Sequence, residues 1–255
     1  GQNVRDFKVG DEVFFYRKFS DIGAWAEEIT IHTDYIAKIP THLTTHQAGI
    51  IALPLLTAYD SLQQLGAKKG EKMLIHGAGG GVGFLAVQIA KSMGLEVIGT
   101  ASGKDLDDLK KVGIDRVIDY RKEQFTDVLK VGELTYIFDL LGKEVLLQSV
   151  DLQPKKIISL HYVVPEKMHK AGVNLPAILK WILSLTMTTF RKKARKNGVE
   201  LIGQITGGNG KLLAEASRLA SEKTFVVREI PLISLKEVEQ NGLSKTDLGK
   251  AISFG

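Results

Sequence analysis

Residues 72–94 read KMLIHGAGGGVGFLAVQIAKSMG, and this stretch decides the fold. Met73, Leu74 and Ile75 form a short apolar run of strand character. Gly77 to Gly83 is a turn with almost no side chains. From Val82 to Met93 the apolar residues Val82, Leu85, Ala86, Ile89, Ala90 and Met93 recur at helical spacing. A strand, a glycine turn and a helix in that order make the corner on which dinucleotide folds hold a pyrophosphate. Bare glycines let the backbone approach the ligand, and the free N–H groups and positive dipole end of the helix face its charge. Ala78, Gly80 and Gly83 hold the three fingerprint positions, with Gly81 and Val82 between them. A merely glycine-rich tight turn is the competing reading, and the flanking strand and helix favour the first.

The rest of the chain repeats the rhythm. Strands are expected at Glu96–Thr100, Arg116–Asp119, Thr135–Asp139, Lys156–Leu160 and Val199–Ile205. Helices fall between them at Leu106–Val112, Phe125–Leu129 and Val145–Val150. Such alternation gives an α/β fold with a doubly wound parallel sheet, covered on both faces. Before it, Val9–Tyr16, Gly23–Ile31 and Tyr35–Pro40 read as strands of a partial barrel. Thr44 caps a helix at Thr45–Ile51, and Leu55–Leu65 reads as a second helix. After the sheet come a helix at Leu212–Lys223, a strand at Val226–Leu232, a short helix at Ser234–Gln240 and a strand at Lys250–Phe254. The apolar Leu175–Phe190 runs straight into a basic segment, and Pro176 suits a first helical turn, so Leu175–Lys196 reads as one helix.

Composition excludes several classes. With no cysteine in 255 residues there is no disulfide, zinc–thiolate site or thiol nucleophile in this stretch. That also suits a reducing compartment, so a cytoplasmic location is expected. The net charge of +5 is carried by Arg191, Lys192, Lys193, Arg195 and Lys196, while acids and bases balance elsewhere. One local run does not make a general nucleic-acid surface. No run is long and apolar enough to span a bilayer. An interfacial membrane helix at 175–196 is the less favoured reading; a cover over the substrate cleft or a contact with a partner subunit is preferred. The six histidines offer only His42 and His46 at a spacing of four, with no third ligand nearby, so no metal site is expected.

The end of the second sheet strand distinguishes NAD from NADP. Here it continues Gly99-Thr100-Ala101-Ser102-Gly103-Lys104, and the first acid, Asp105, follows Lys104. Ser102 as a donor and Lys104 as a charge point to NADPH; a solvated loop lysine is the alternative. His161 and Tyr162 follow the fifth strand, at the carboxyl edge where ligands bind, and Tyr16 ends a barrel strand. His161 is a candidate for the cofactor side and Tyr16 and Tyr162 for the substrate side, with ordinary packing the alternative for each. No catalytic acid is assigned.

Six blocks carry a family resemblance: FKVGDEVF at Phe7–Phe14, LTAYDSL at Leu56–Leu62, GAKKGEKMLIHGAGGGVG at Gly66–Gly83, VIDYRKEQF at Val117–Phe125, YIFDLLG at Tyr136–Gly142 and GKAISF at Gly249–Phe254. In this order they resemble the zinc-independent medium-chain dehydrogenase/reductases, the quinone oxidoreductase-like group. The resemblance implies a Rossmann domain at 55–205, inserted into a GroES-like substrate barrel built from 1–54 and 206–255. It implies that Thr57 lies near the cofactor's ribose and phosphate, and that Tyr120 joins Ser102 and Lys104 around a 2′-phosphate. A homodimer is implied as well. In the family FKVGDEVF follows most of the barrel, so the first barrel strands, with the family's Tyr or Asn beside the nicotinamide, are expected to be missing. The function expected is hydride transfer from NADPH to a quinone-like or α,β-unsaturated carbonyl acceptor without zinc. A cofactor-binding but catalytically inert interaction protein is the alternative.

Overall fold

The computed structural model describes residues 4–18, 21, 26–228, 232–234 and 251–253. Six strands form one parallel sheet: β3 (Lys72–His76), β4 (Glu96–Ala101), β5 (Arg116–Asp119), β6 (Tyr136–Asp139), β7 (Lys156–Ser159) and β8 (Glu200–Gly203), in spatial order β5-β4-β3-β6-β7-β8. The chain winds outward from β3 through β4 to β5, then returns to the other side of β3 and winds through β6 to β8. Where the direction reverses, between β3 and β6, the connections leave a crevice at the carboxyl ends of the strands. The register Ile75↔Phe138 and Ile75↔Gly99 brings three strand ends together there.

Alternation along β3 explains the two cores. Met73 and Ile75 face the layer made by α1 (Thr45–Leu65), α2 (Gly81–Ser92) and α8 (Gly210–Lys223). Leu74, between them, faces the layer of α5 (Lys143–Asp151) and α7 (Thr188–Lys196), with Ile98, Ile137, Leu146 and Ala194. Shorter helices, α3 (Leu106–Lys111) and α4 (Phe125–Val128), cover the β5 side. At the chain ends, β1 (Val13–Phe15) pairs antiparallel with β2 (Ile36–Lys38), and β9 (Leu232–Ser234) pairs parallel with β10 (Ala251–Ser253).

The structure corrects the sequence reading in four places. Thr45–Leu65 is a single helix running through Pro54, not two. Its Thr44–Gln47 capping box and its buried face, with Ile51, Ala52, Leu55 and Leu56, outweigh the roughly 3 kcal/mol that an interior proline costs. Residues 175–196 instead form two helices, α6 (Ala177–Thr186) and α7, broken at Met187. The Thr186 hydroxyl donates to Leu183 O (2.8 Å) and that of Thr188 to Ser184 O (3.1 Å), back-bonds that bend helices.

Ala26–Ile31 is not a strand: Ala26–Thr30 is exposed and no ladder partner lies beside it among the described residues. Gly23–Trp25 lies outside the described residues. Val226–Arg228 is irregular rather than a strand, because the Gln88 amide takes both backbone groups of Val226, donating to its carbonyl (3.0 Å) and accepting from its N–H (2.7 Å). The helix expected at Ser234–Gln240 falls outside the described residues apart from Ser234, which ends β9.

His76, at the end of β3, is buried. Its ring nitrogens face Thr100 Oγ1 (3.2 Å) and Ser149 Oγ (2.9 Å), and Phe125 packs edge-on at 4.6 Å. Burial pushes its pKa down to about 4, and the charge of Asp139 opposes that only partly. The unfolded chain therefore binds the proton more readily. The stability held by a neutral His76 is complete above its unfolded value near pH 6.5 and is lost as pH falls toward 4. At about 1.4 kcal/mol per pH unit, His76 should remove roughly 2–3 kcal/mol between pH 7.5 and 4.5. Urea unfolding at the two pH values checks this: His76→Gln should show the smaller pH-dependent loss, and an equal loss in the two proteins would refute the assignment.

Candidate functional site

The glycine corner is shaped by what cannot fit in it. Gly77 turns out of β3 with φ +69°, and its N–H donates to Thr100 Oγ1 (3.2 Å). Ala78 N–H then donates to Thr100 O (2.9 Å), which fastens the loop to the end of β4. Gly80, extended at φ −81°, ψ 169°, precedes α2 without a side-chain cap. The amides of Gly81, Val82 and Gly83 have no earlier carbonyl in the helix to bond and point out of its first turn. A Cβ on Gly83 would lie far inside contact of Gly77 O and 2.8 Å from Ala78 Cα, so only glycine lets α2 approach β3 this closely.

This corner opens into a cavity of about 670 Å³, lined by Gly77, Gly79–Gly83, Thr100–Ser102, Lys104, Asp105, Tyr120, Leu140, Leu141 and Leu160. The volume lies in the range of small-molecule sites. Ends of β3, β4, β5, β6 and β7 all contribute, which is the crevice that the sheet order creates. Gly80, Gly81, Val82, Gly83, Ser102, Lys104 and Tyr120 are thus brought together, with Ala78 buried beneath them. Lys104 and Tyr120 are exposed, whereas Ser102 is buried and its hydroxyl donates to Asp105 (2.6 Å).

Four other candidates stand apart from this lining. Thr57 is buried on α1, its hydroxyl 2.8 Å from that of Thr206. It belongs to a polar seam joining α1 to the end of β8, continued by Gln204 donating to Asp60 (2.8 Å). His161 sits on the rim, with Nε2 3.2 Å from Leu140 O. Tyr162 is packed in the α5–α7 core, and its hydroxyl accepts from Arg191 Nε (3.3 Å). Tyr16 packs half-buried against the other core, where burial raises its pKa.

Several site residues were not found from sequence. Asp139 is wholly buried at the end of β6. It accepts from Leu141 N–H (3.1 Å), Gly142 N–H (2.9 Å) and Ser159 Oγ (2.6 Å), while Ser159 Oγ accepts from the amides of His161 and Tyr162. One carboxylate thereby fixes the turns that carry Leu140, Leu141 and Leu160. An acid ending an otherwise apolar strand was the available signal. Asp105 lies over Gly79 and pairs with Arg228 (3.2 Å), a contact that no local pattern announces. Among the described residues no group of three His, Cys, Asp or Glu side chains is placed to hold a metal ion.

An open, doubly wound parallel sheet with this corner at its switch point is a Rossmann-type dinucleotide-binding unit. Comparisons place it further. Residues 81–156 match the family described as zinc-binding dehydrogenase. The Homo sapiens quinone oxidoreductase is 34% identical over 158 residues, 60% of this chain and 47% of that protein. The 2-methylene-furan-3-one reductase of Solanum lycopersicum is 34% identical over 151 residues, 56% of this chain and 38% of its own length. The structure of the quinone oxidoreductase from Coxiella burnetii superposes with a TM-score of 0.74 at 28% identity, over 94% of this chain and 69% of that one. The chain belongs to the medium-chain dehydrogenase/reductases, in their quinone oxidoreductase-like group. It spans less than half the length of these two curated relatives.

Gly83→Ala tests the corner. Its methyl meets backbone rather than a yielding side chain, so it should cost about 1–3 kcal/mol of stability. It should also weaken dinucleotide binding about tenfold or more, since 1.4 kcal/mol is a factor of ten. Gly81→Ala is the control, because its methyl would first meet Pro54 Cγ at 3.9 Å, an ordinary contact. Urea unfolding and a fluorescence titration should separate the two variants; equal behaviour would show that close approach is not what the corner requires.

Proposed function

We propose that this chain binds NADPH in the β3–β6 crevice and directs hydride transfer to a quinone-like or α,β-unsaturated carbonyl acceptor, without zinc. The observation that carries the reading is the uncapped α2 N-terminus beside the Ser102–Lys104 loop and Tyr120, in one cavity. The free amides of Gly81–Gly83 suit a pyrophosphate, and bare backbone at Gly79 and Gly80 leaves room for it. Lys104 and Tyr120 hold the adenosine side, at the ends of β4 and β5. The apolar Leu140, Leu141 and Leu160 then border the nicotinamide side and exclude water there. Bound in this way, the reduced nicotinamide supplies the hydride, and the acceptor completes its reduction with a proton. The quinone and furanone reductases among the relatives support the acceptor class. In this reading residues 55–205 carry the cofactor, and 1–54 with 206–255 contribute to the substrate side.

A turnover assay with NADPH against small quinones and enones tests the proposal. Acceptor-dependent NADPH oxidation is the expected result; tight NADPH binding with no turnover would leave the inert interaction protein as the correct reading. Lys104→Ala should weaken NADPH about tenfold or more while sparing NADH, since a charge-assisted contact contributes about 1.5–3 kcal/mol. Equal losses for both cofactors would remove Lys104 from the 2′-phosphate site.

The reading includes a homodimer. No residue of α6 is buried, and Ile178, Leu179, Trp181, Ile182 and Leu185 are all exposed on this one helix. A contiguous apolar face of this kind marks an interaction surface. Sedimentation should show a dimer that Trp181→Glu dissociates. A monomer that instead floats with anionic liposomes would replace the subunit contact by a membrane surface. No helix among the described residues is long and apolar enough to cross a membrane.

A further inference from the structure

Asp105 is in the wrong place for an NADPH site, and a counter-charge is set against it. A carboxylate just beyond the second sheet strand accepts hydrogen bonds from an unmodified ribose and repels a 2′-phosphate. Asp105 lines the cavity there, so close to the loop that a Cβ on Gly79 would stand 2.6 Å from its carboxyl carbon. Both its oxygens are already engaged. Oδ2 accepts from Ser102 Oγ at 2.6 Å, and Oδ1 accepts from Arg228 Nη1 at 3.2 Å. The same Arg228 nitrogen donates to Gly79 O.

Arg228 reaches this point from the segment after α8, 123 residues away in sequence. Its guanidinium lies 4.3 Å over the Phe84 ring, on the first turn of α2. Nε stands 3.4 Å from Asp108 Oδ2, without the geometry of a hydrogen bond, and Nε and Nη2 are buried with no hydrogen-bond acceptor. The hold on Asp105 and on the loop thus passes through Nη1 alone. Among the described residues, exposed Lys104 is the cation lining the cavity.

We infer that Arg228 is a specificity-determining residue: by pinning Asp105 against Gly79 it turns a pocket that would otherwise select an unmodified ribose into one that accepts a 2′-phosphate. The inference rests on the dinucleotide reading of the cavity and deepens it. Released from Arg228, Asp105 regains a net charge and a free acceptor oxygen, and Ser102 no longer has a fixed partner. Preference then moves toward NADH. Arg228 acts through Asp105 and is a positioning residue, so its loss should be reversed by removing the charge it masks.

The experiment measures dissociation constants for NADPH and for NADH by fluorescence titration, on the wild type, Arg228→Gln, Asp105→Asn and the double variant. Arg228→Gln should lower the preference for NADPH about tenfold or more, chiefly through NADPH, and the double variant should restore it. Equal weakening of both cofactors in Arg228→Gln, or no restoration in the double variant, would overturn the inference, because a purely structural arginine gives those results. Should Arg228→Gln fail to fold, Asp105→Asn alone decides. It should leave the preference within about twofold of wild type, since the charge is already masked, and a tenfold rise in NADPH preference would show it was not. A wild type that binds neither NADPH nor NADH overturns the functional reading instead; one that binds NADPH with a preference indifferent to Arg228 overturns this inference alone.

Discussion

The contact between the Gly83 backbone and Gly77 O is the constraint on which the rest depends. It lets α2 start directly above the end of β3, with its leading amides aimed into the crevice. A second close approach sits beside it. A Cβ on Gly99 of β4 would lie 2.6 Å from Ala78 Cβ, and Ala78 is fully buried. The methyl carried by the first fingerprint position therefore occupies space that a glycine on the neighbouring strand vacates. Alanine there is not a weakened glycine motif. The small-residue requirement has been divided between a loop and a strand 21 residues apart (99 − 78), and the loop still rests on β4 through Thr100.

Across the crevice the opposite wall depends on a charge. Leaving a carboxylate buried costs several kcal/mol unless its lone pairs are satisfied. Asp139 meets that condition with two backbone amides and the Ser159 hydroxyl, and Ser159 passes the constraint on to the amides after β7. Gly142, at φ +70°, has no room for a Cβ beside His161. The turn 140–142 and the start of the loop after β7 are thus fixed to one another without a direct ladder. One side of the cavity is built by omitting side chains, the other by satisfying a buried one.

What was legible in the sequence follows the range of the forces involved. The six strands of the sheet, the glycine corner and the Ser102–Lys104 loop announce themselves within windows of a few residues, through apolar runs and the absence of side chains. Contacts between distant segments leave no such trace. Gln88 substituting for a strand neighbour of Val226, the Thr57–Thr206 pair and Arg228 on Asp105 join residues more than 100 positions apart. Pro54 misled because its local cost is real and is offset only by tertiary burial. Met187 misled for the opposite reason: the 175–196 pattern is helical throughout, yet two threonine hydroxyls back-bond at the break. Ser102 lines the cavity and bonds Asp105 three residues on, but the Arg228 that holds Asp105 was invisible from the loop alone.

Two-stranded pairs such as β1–β2 are marginal by themselves in water. Among the described residues the pair is tied to α8 rather than to further barrel strands. Ser217 Oγ donates to Lys38 O (2.7 Å), and Gly210 lets the start of α8 come so close to Ile36 that a Cβ would meet its carbonyl oxygen at 2.6 Å. The same helix packs on α1 and α2 and shares their core, through Leu213, Ala216 and Ala220. The N-terminal strands, the returning chain and the glycine corner consequently rest on one hydrophobic cluster. The segment leaving α8 is then held by Gln88 of α2 and delivers Arg228 to the glycine loop. Residues 224–227 alone separate the end of α8 from Arg228, so the helix and the Asp105 carboxylate are joined by a short run of chain and one hydrogen bond.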